Sequence, residues 1–233
     1  MSHTTAIDNR LRPLTALRAA GALFADPQDT RQVFVIMQAM RGRSPVRMMR
    51  RFRACPTGAA VLAEHRQLLA ALQDDAALAA LPAGSLGRAY QDFMQACQLT
   101  AGGLVDASMV EDYSGLPADA RLLRERMRDM HDLTHVLTGY GANPLGELCL
   151  LAFMFAQTGN LGSATIALMG LARFGRGREG RPLRQALWEA YKRGRKAAWL
   201  PGLDYEALLA RPLDALRREL RLTPAAHYPP QRV

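Results

Sequence analysis

Only one run in the 233-residue sequence, Val33-Phe34-Val35-Ile36, is rich enough in β-branched and aromatic residues to suggest a strand. Even that run lies in a longer window, Val33 to Met40, whose apolar residues recur at helical spacing. Aromatic residues are 6% of the chain, low for a β-sandwich. The sequence leans instead on Leu, Ala, Arg and Met, which lose little on entering a helix. With 49% apolar and 22% charged residues the composition is that of a folded soluble chain, not a disordered one. Helical spacing, caps and breakers predict helices over 10–24, 29–41, 57–72, 85–97, 118–138, 144–158, 161–174, 181–196, 204–210 and 212–221. No internal repeat, low-complexity block or long linker interrupts them, so the expected fold is one all-α, multi-helix domain over residues 1–233.

Two segments test that reading. Residues 11–24 are rich in Ala, Leu and Arg, as an amphipathic transit peptide is, but their apolar residues keep helical spacing up to Phe24 and run into an Asp-Pro turn. They read as a first helix, and Met1 to Leu11 lacks the apolar region of a signal peptide. No charge occurs between Glu147 and Arg173, long enough to span a bilayer. Gln157-Thr158-Gly159-Asn160 lies in the middle of that stretch, and a Gly-Asn pair between apolar halves marks a break. Two buried helices are therefore expected rather than one spanning helix. Cys55, Cys97 and Cys149 form no C-x-x-C pair, so they read as buried thiols in a reducing compartment.

The net charge is +9, and 28 of the 30 basic residues are arginines, the lysines being Lys192 and Lys196. Residues 1–80 carry +5, residues 81–150 carry −4 and residues 151–233 carry +8. The densest basic patches, Arg41–Arg53 and Arg173–Lys196, carry no stacking array of aromatics, and no nucleic-acid-binding motif is present. Nucleic acid is thus not an expected partner. The arginines read as solvated helix faces or as contacts to an anionic membrane surface or an acidic partner.

The acidic middle segment holds the chemistry. Within Arg124 to Glu147, RERMRDMHDLTHVLTGYGANPLGE, the core is His131-Asp132-x-x-His135. Residues four apart on a helix share a face, so the two imidazoles can hold one divalent metal. Asp132, roughly 100° around the helix, can bind directly, orient an imidazole or act as a base. Gly139-Tyr140-Gly141 stops this helix, and Asn143-Pro144 caps and starts the next. The short connection brings Glu147, in the next first turn, back toward the histidines, placing a metal site between two adjacent helices. Arg124 and Arg128 fall within roughly 60° of His131 on the helical wheel. They suit an anionic substrate group, or equally a salt bridge to a neighbouring carboxylate. Leu123, Met127, Met130, Thr134 and Leu137 fall on the adjoining arc and are expected in the core. His3, His65 and His227 have no such company and are expected at the surface or in the core.

HDLTHVLTGYG followed by LGE resembles the metal motif of the coenzyme-Q-four family of ubiquinone-biosynthesis proteins. The segments Asp26–Thr30, Gly87-Arg88-Ala89-Tyr90 with Phe93-Met94, Ala156–Asn160, Ala190-Tyr191-x-Arg193-Gly194-Arg195 and Leu213–Leu222 are similar to other parts of that family. The arginine- and glycine-rich 173–181 segment is not. The resemblance implies an all-helical fold and a divalent metal on His131, Asp132, His135 and Glu147, with Asp132 and Glu147 also as catalytic groups. It implies a polyprenylated aromatic ubiquinone precursor as substrate, other ubiquinone-biosynthesis enzymes as partners, and a homodimer. It implies an intracellular, cytoplasmic protein peripherally associated with the inner membrane.

The activity the resemblance implies is metal-dependent oxidative decarboxylation of a polyprenylated hydroxybenzoate, a lyase-type reaction that leaves a hydroxyl on the ring carbon. Zinc, iron and manganese all suit two histidines with carboxylates, but only iron and manganese supply redox chemistry. The alternative is a non-catalytic, prenyl-lipid-binding scaffold that organises partner enzymes around a structural metal. A metal-dependent hydrolase fits less well, because Asp132 is shorter than the usual glutamate and the Gly-Tyr-Gly stop comes early. The apolar 148–172 segment is expected either to shape a groove for the prenyl tail or simply to fill the core.

Overall fold

The computed structural model describes residues 10–26, 29, 31–102, 115–178 and 180–228. His3, and Pro27, Gln28 and Thr30 of the Asp-Pro turn, lie outside the described residues. The elements are α1 Pro13–Ala25, α2 Arg31–Ala39, α3 Ser44–Ala54, α4 Pro56–Ala63, α5 Leu68–Gln73, α6 Asp75–Ala79, α7 Leu86–Ala96, α8 Ala118–Thr138, α9 Pro144–Thr158, α10 Leu161–Phe174, α11 Arg181–Lys196, a 3₁₀ turn Leu200–Gly202, α12 Tyr205–Leu208 and α13 Leu213–Glu219. No strand occurs among the described residues, and Val33–Ile36 lies in α2 with Ile36 fully buried.

Helices α8 to α11 have the bounds expected from the sequence, set by Gly, Asn and Pro signals everywhere but at the end of α11, where Ala197 is the cap. Two differences appear earlier. The helix expected over 57–72 is two helices, because His65 takes a left-handed φ of 49° and turns the chain between α4 and α5. Helices α3 and α6 were not anticipated. The Arg41–Arg53 patch is largely the solvent side of α3, whose Met48 and Phe52 are buried with Val61, Leu62, Leu122 and Leu123. Helix α6 is started by Asp74, whose side chain accepts from the Ala77 N–H.

The main core lies between α7, α8, α9 and α11, with Tyr90, Leu133, Leu137, Cys149, Leu150, Phe153, Ala190 and Leu216 among its buried side chains. Burying one such leucine is worth about 1.5–3 kcal/mol. Helices α9 and α11 run in close contact because Gly194 has no side chain: a Cβ there would stand 2.5 Å from the Phe153 carbonyl oxygen. The uncharged 148–172 segment forms α9 and α10, broken at Gly159 with φ +66° and restarted by the Asn160 cap. Their inner faces are core, and among the described residues no helix is long and apolar enough to cross a membrane. Helices α1, α2 and α10 enclose a smaller cluster joined to the main core through Leu148 and Leu151.

Of the cysteines only Cys149 is fully buried. Cys55 caps α4, its sulfur accepting from the Gly58 N–H, and Cys97 ends α7 half-buried. His65 and His227 are exposed.

Helix α8 is fastened by an ion-pair network that the sequence did not suggest. Arg126 is buried on α8 and grips both Glu206 oxygens, at 2.5 and 2.8 Å, while its Nη1 also donates to the Arg66 carbonyl. Arg66 in turn holds both oxygens of Asp204. Burial resists ionisation of Glu206 and Asp204, yet the arginines hold both carboxyls below their ordinary range. A carboxyl with a lowered folded-state pKa adds stability above its unfolded value, and that stability disappears as pH falls through the folded one. The chain is therefore expected to lose stability steadily below about pH 4.3. Glu206→Gln should flatten that loss while lowering stability at neutral pH. Urea midpoints measured across the acid range check this, and identical slopes for the two proteins would contradict it.

Candidate metal centre

The site is built at the C-terminal end of α8 and the start of α9. Gly139, with φ +78°, ends α8, and its N–H donates to the His135 carbonyl. Asn143 caps α9 by accepting from the Gly146 N–H at 2.9 Å, with Pro144 at the first helical position. The turn is drawn tightly over the helix start, because a Cβ at Gly146 would collide with the Gly141 carbonyl. Tyr228, from the C-terminal segment, fixes the turn by accepting from the Gly141 N–H at 2.9 Å and from the Asn143 amide at 3.0 Å.

This local architecture carries Glu147 to the histidines. His135 Nε2 lies 3.2 Å from His131 Nε2 and 3.3 Å from one Glu147 oxygen, and His131 Nε2 lies 3.7 Å from the other. Ligand atoms of His131, Asp132 and His135 all lie within 4.8 Å of one another. His135 Nδ1 is 3.0 Å from the Tyr140 carbonyl, which can only accept, so Nδ1 carries the proton and Nε2 presents its lone pair to the cluster. That is the arrangement a metal-binding histidine usually has.

These spacings fit a bound cation. Ligand atoms at ~2.0–2.2 Å from one metal in a tetrahedral set stand about 3.3–3.6 Å apart, close to the His131, His135 and Glu147 distances, whereas Asp132 falls within the wider 4.8 Å group. Without a cation or proton between them, the lone pairs of two imidazoles and a carboxylate repel. The protonation preferences express the same crowding. Burial and the neighbouring His135 push His131 down. Burial opposes the charged form of His135, but Glu147 and the Tyr140 carbonyl push it up. Burial resists ionisation of Glu147, yet the two imidazoles hold it below its ordinary value. Burial raises Asp132. His135 is 1% exposed at its side chain, while His131 and Glu147 are 31% and 40% exposed. The cluster is thus anchored on its inner side and open on the other, as a reactive site must be.

Arg124 and Arg128 precede His131 on the same helix by seven and three residues. Arg128 is bound to the buried Asp129 at 2.7–2.8 Å, so the salt-bridge reading holds for it. Arg124 is half-buried one turn earlier and also has an interaction partner. The expected core positions Leu123, Met130, Thr134 and Leu137 are buried, and Met127 packs at the core edge.

Several groups around the cluster were not singled out from sequence as part of it. Helix α7 lays one face against it: the Phe93 ring stacks on His135 at 5.5 Å, and burial with Asp132 nearby raises the Tyr90 phenol. Burial also raises the Cys97 thiol, against a hydrogen bond from the Ala142 backbone, with Asp132 and Glu147 adding to the rise. The Tyr90, Phe93, Cys97 spacing of three and four residues was the available signal. Behind the site, Arg193 of α11 and Arg217 of α13 close the end of α8. Arg193 Nη2 donates to the Thr138 carbonyl at 2.9 Å, and Arg217 Nη2 to the Val136 carbonyl at 2.8 Å. Cations there satisfy orphan carbonyls and oppose the helix dipole.

Comparison with known proteins agrees with this architecture. Residues 3–226 match the family model for the coenzyme Q (ubiquinone) biosynthesis protein Coq4. The chain is 30% identical over 221 residues to the ubiquinone biosynthesis protein COQ4 homolog, mitochondrial, of Bos taurus, covering 94% of this chain and 80% of that one. It is 31% identical to the Homo sapiens counterpart, covering 90% and 77%. A crystal structure of a Nostoc punctiforme PCC 73102 protein assigned to ubiquinone biosynthesis has the same fold, with a TM-score of 0.66 at 22% identity over 92% of this chain and all of that one. The chain belongs to the Coq4 family of coenzyme Q (ubiquinone) biosynthesis proteins.

Proposed function

We propose that this protein acts in ubiquinone biosynthesis as a metal-dependent enzyme that removes the carboxyl group from a polyprenylated hydroxybenzoate ring and leaves a hydroxyl there. The observation that carries the reading is the convergence of the His131, His135 and Glu147 donor atoms within 3.2–3.7 Å on a face open to solvent. A divalent ion held by these residues, with Asp132 as a further ligand or its neighbour, supplies Lewis-acid polarisation of a carboxylate or phenolic oxygen and, if iron or manganese, redox capacity. In the overall change the ring-to-carboxyl bond breaks and carbon dioxide leaves. The new hydroxyl oxygen comes from dioxygen, while a two-electron donor and two protons carry the second oxygen atom to water. In this reading Asp132, where it does not bind the metal, holds or passes a proton beside the ring. In this reading Arg124 and Arg128 bind the substrate's anionic group, Arg128 by exchanging its bond to Asp129 for one to the substrate.

A prenylated substrate resides in a membrane, and exposed residues of α1 and α10 suit such a surface. Leu14 and Leu17 of α1 and Leu168 and Phe174 of α10 are exposed large apolar residues. Arg173 lies over both Phe24 and Phe174, and neither α1 nor α10 contains an acidic residue. These exposed residues also favour the second reading, a scaffold that presents prenyl lipids to partner enzymes.

Purified protein supplied with each of zinc, iron and manganese, dioxygen, a reductant and a prenylated hydroxybenzoate in anionic vesicles separates the two. Carbon dioxide release with formation of the ring hydroxyl, without partner proteins, is the expected result. Tight substrate binding with no turnover under every metal would overturn the enzyme reading in favour of the scaffold.

A further inference from the structure

We propose a second binding site, for a phosphate or diphosphate group, in a cleft that shares no lining residue with the metal centre. The cleft, about 430 Å³, lies between the end of α11 and the segment after α13 and is lined by Arg195, Lys196, Ala197, Arg221 and Thr223. The Ala198 N–H donates to the Leu220 carbonyl at 2.9 Å and so ties the two walls together. Arg193 Nε takes the Thr223 carbonyl at 2.8 Å, which fixes that wall from behind.

Three cationic residues thus line one cavity, and none of them forms an ion pair with a carboxylate among the described residues. Position at a helix end explains Arg195 and Lys196, since cations in a last turn oppose the helix dipole. Arg221, two residues past the end of α13, can do the same but carries a backbone cost besides. That residue follows α13 with a left-handed φ of 57°, and the next N–H, of Leu222, returns to the Arg217 carbonyl at 2.8 Å. This is the helix-ending turn in which glycine fits without strain and a side chain costs about 1 kcal/mol. The chain here carries an arginine in that conformation, lining a cleft that two other cationic residues also line. A multiply charged, oxygen-rich anion relieves their mutual repulsion and offers acceptors to both guanidinium groups, the ammonium and the Thr223 hydroxyl. A group of that chemistry comes either free in solution or on a lipid headgroup.

Arg221→Gly removes the cation while relieving the backbone, so its thermal midpoint should equal or exceed that of the unchanged protein. Calorimetric titration of the full chain with inorganic pyrophosphate, at ionic strength matched with chloride, should show saturable binding. Arg221→Gly should weaken that binding about tenfold or more, and Lys196→Gln should weaken it less. Vesicles containing phosphatidic acid then identify the source. Vesicle binding that pyrophosphate displaces and Arg221→Gly abolishes assigns the headgroup, whereas vesicle binding insensitive to both, with pyrophosphate binding still lost in Arg221→Gly, assigns the free anion. Absence of saturable pyrophosphate binding, or equal binding by Arg221→Gly, would overturn the proposal.

Discussion

Replacing His135 by alanine is expected to cost more than about 100-fold in divalent-metal affinity and to abolish ring decarboxylation, with helix content retained. Removing groups that merely orient a metal ligand typically costs 10–100-fold, and His135 is placed as a ligand itself. Its Nε2 is the point from which both His131 and Glu147 are reached, at 3.2 and 3.3 Å, and its Nδ1 is locked to the Tyr140 carbonyl. The imidazole is buried against Phe93, so alanine leaves a void that lowers stability. The rest of α8 keeps its Gly139 stop and its arginine caps, which preserves the helix. Glu147→Gln is a milder companion: the amide can still meet His135 but brings no negative charge, so metal binding should weaken without the packing loss. Equilibrium metal titration, circular dichroism and turnover measured on each variant check these outcomes. Unchanged metal affinity and turnover in His135→Ala would contradict the site.

Arg193→Met is expected to destabilise the fold by about 3 kcal/mol or more, the largest loss foreseen for any residue outside the metal cluster. The guanidinium is buried and joins three parts of the chain. It donates to Thr138 at the end of α8, donates to Thr223 after α13, and lies 4.9 Å above the Tyr140 ring. Methionine fills similar space but leaves both carbonyls without their partner. Orphaning the buried Thr138 carbonyl costs about 1–3 kcal/mol, and loss of the part-buried bond to Thr223 and of the buried cation's contacts adds to it. Because Tyr140 supplies the carbonyl that orients His135, metal affinity should fall as well, about 10-fold or more. Urea unfolding together with metal titration measures both losses. A stability change under about 1 kcal/mol, with metal affinity unaltered, would show that Arg193 positions nothing.

The contrast between these two residues shows what a sequence exposes. His131, His135 and Glu147 lie on two consecutive elements joined by five residues, so helical spacing plus the Gly139 stop and Asn143 cap suffice to bring them together. Arg193 meets Thr138 across 55 residues, and Tyr228 meets Gly141 across 87. No local pattern marks such contacts, because they exist only after α11 and the C-terminal segment pack against α8. The helices followed the same rule. Those from α8 to α11 begin on Gly, Asn or Pro signals, the first three also end on glycine, and all were legible. Helix α3 is short and arginine-rich, and it is specified by Met48 and Phe52 docking on α4 and α8 rather than by its own propensity. The split near His65 depends on Arg66 turning to reach Asp204, 138 residues away. Charge was legible only in part: the arginines of α3 are mostly solvated, whereas Arg126 is buried on the helix that bears the histidines and Arg193 is buried against its end.

The central claim, that α8 and α9 together hold one divalent metal, is tested most directly by anomalous diffraction from crystals grown with zinc, iron or manganese, recorded on either side of the metal's absorption edge. The account predicts one strong anomalous peak per chain, at bonding distance of about 2.0–2.2 Å from the Nε2 atoms of His131 and His135 and from a Glu147 oxygen. A map with no peak at that point for any of the three metals, and the His131 and His135 rings joined only by a shared proton, would contradict it.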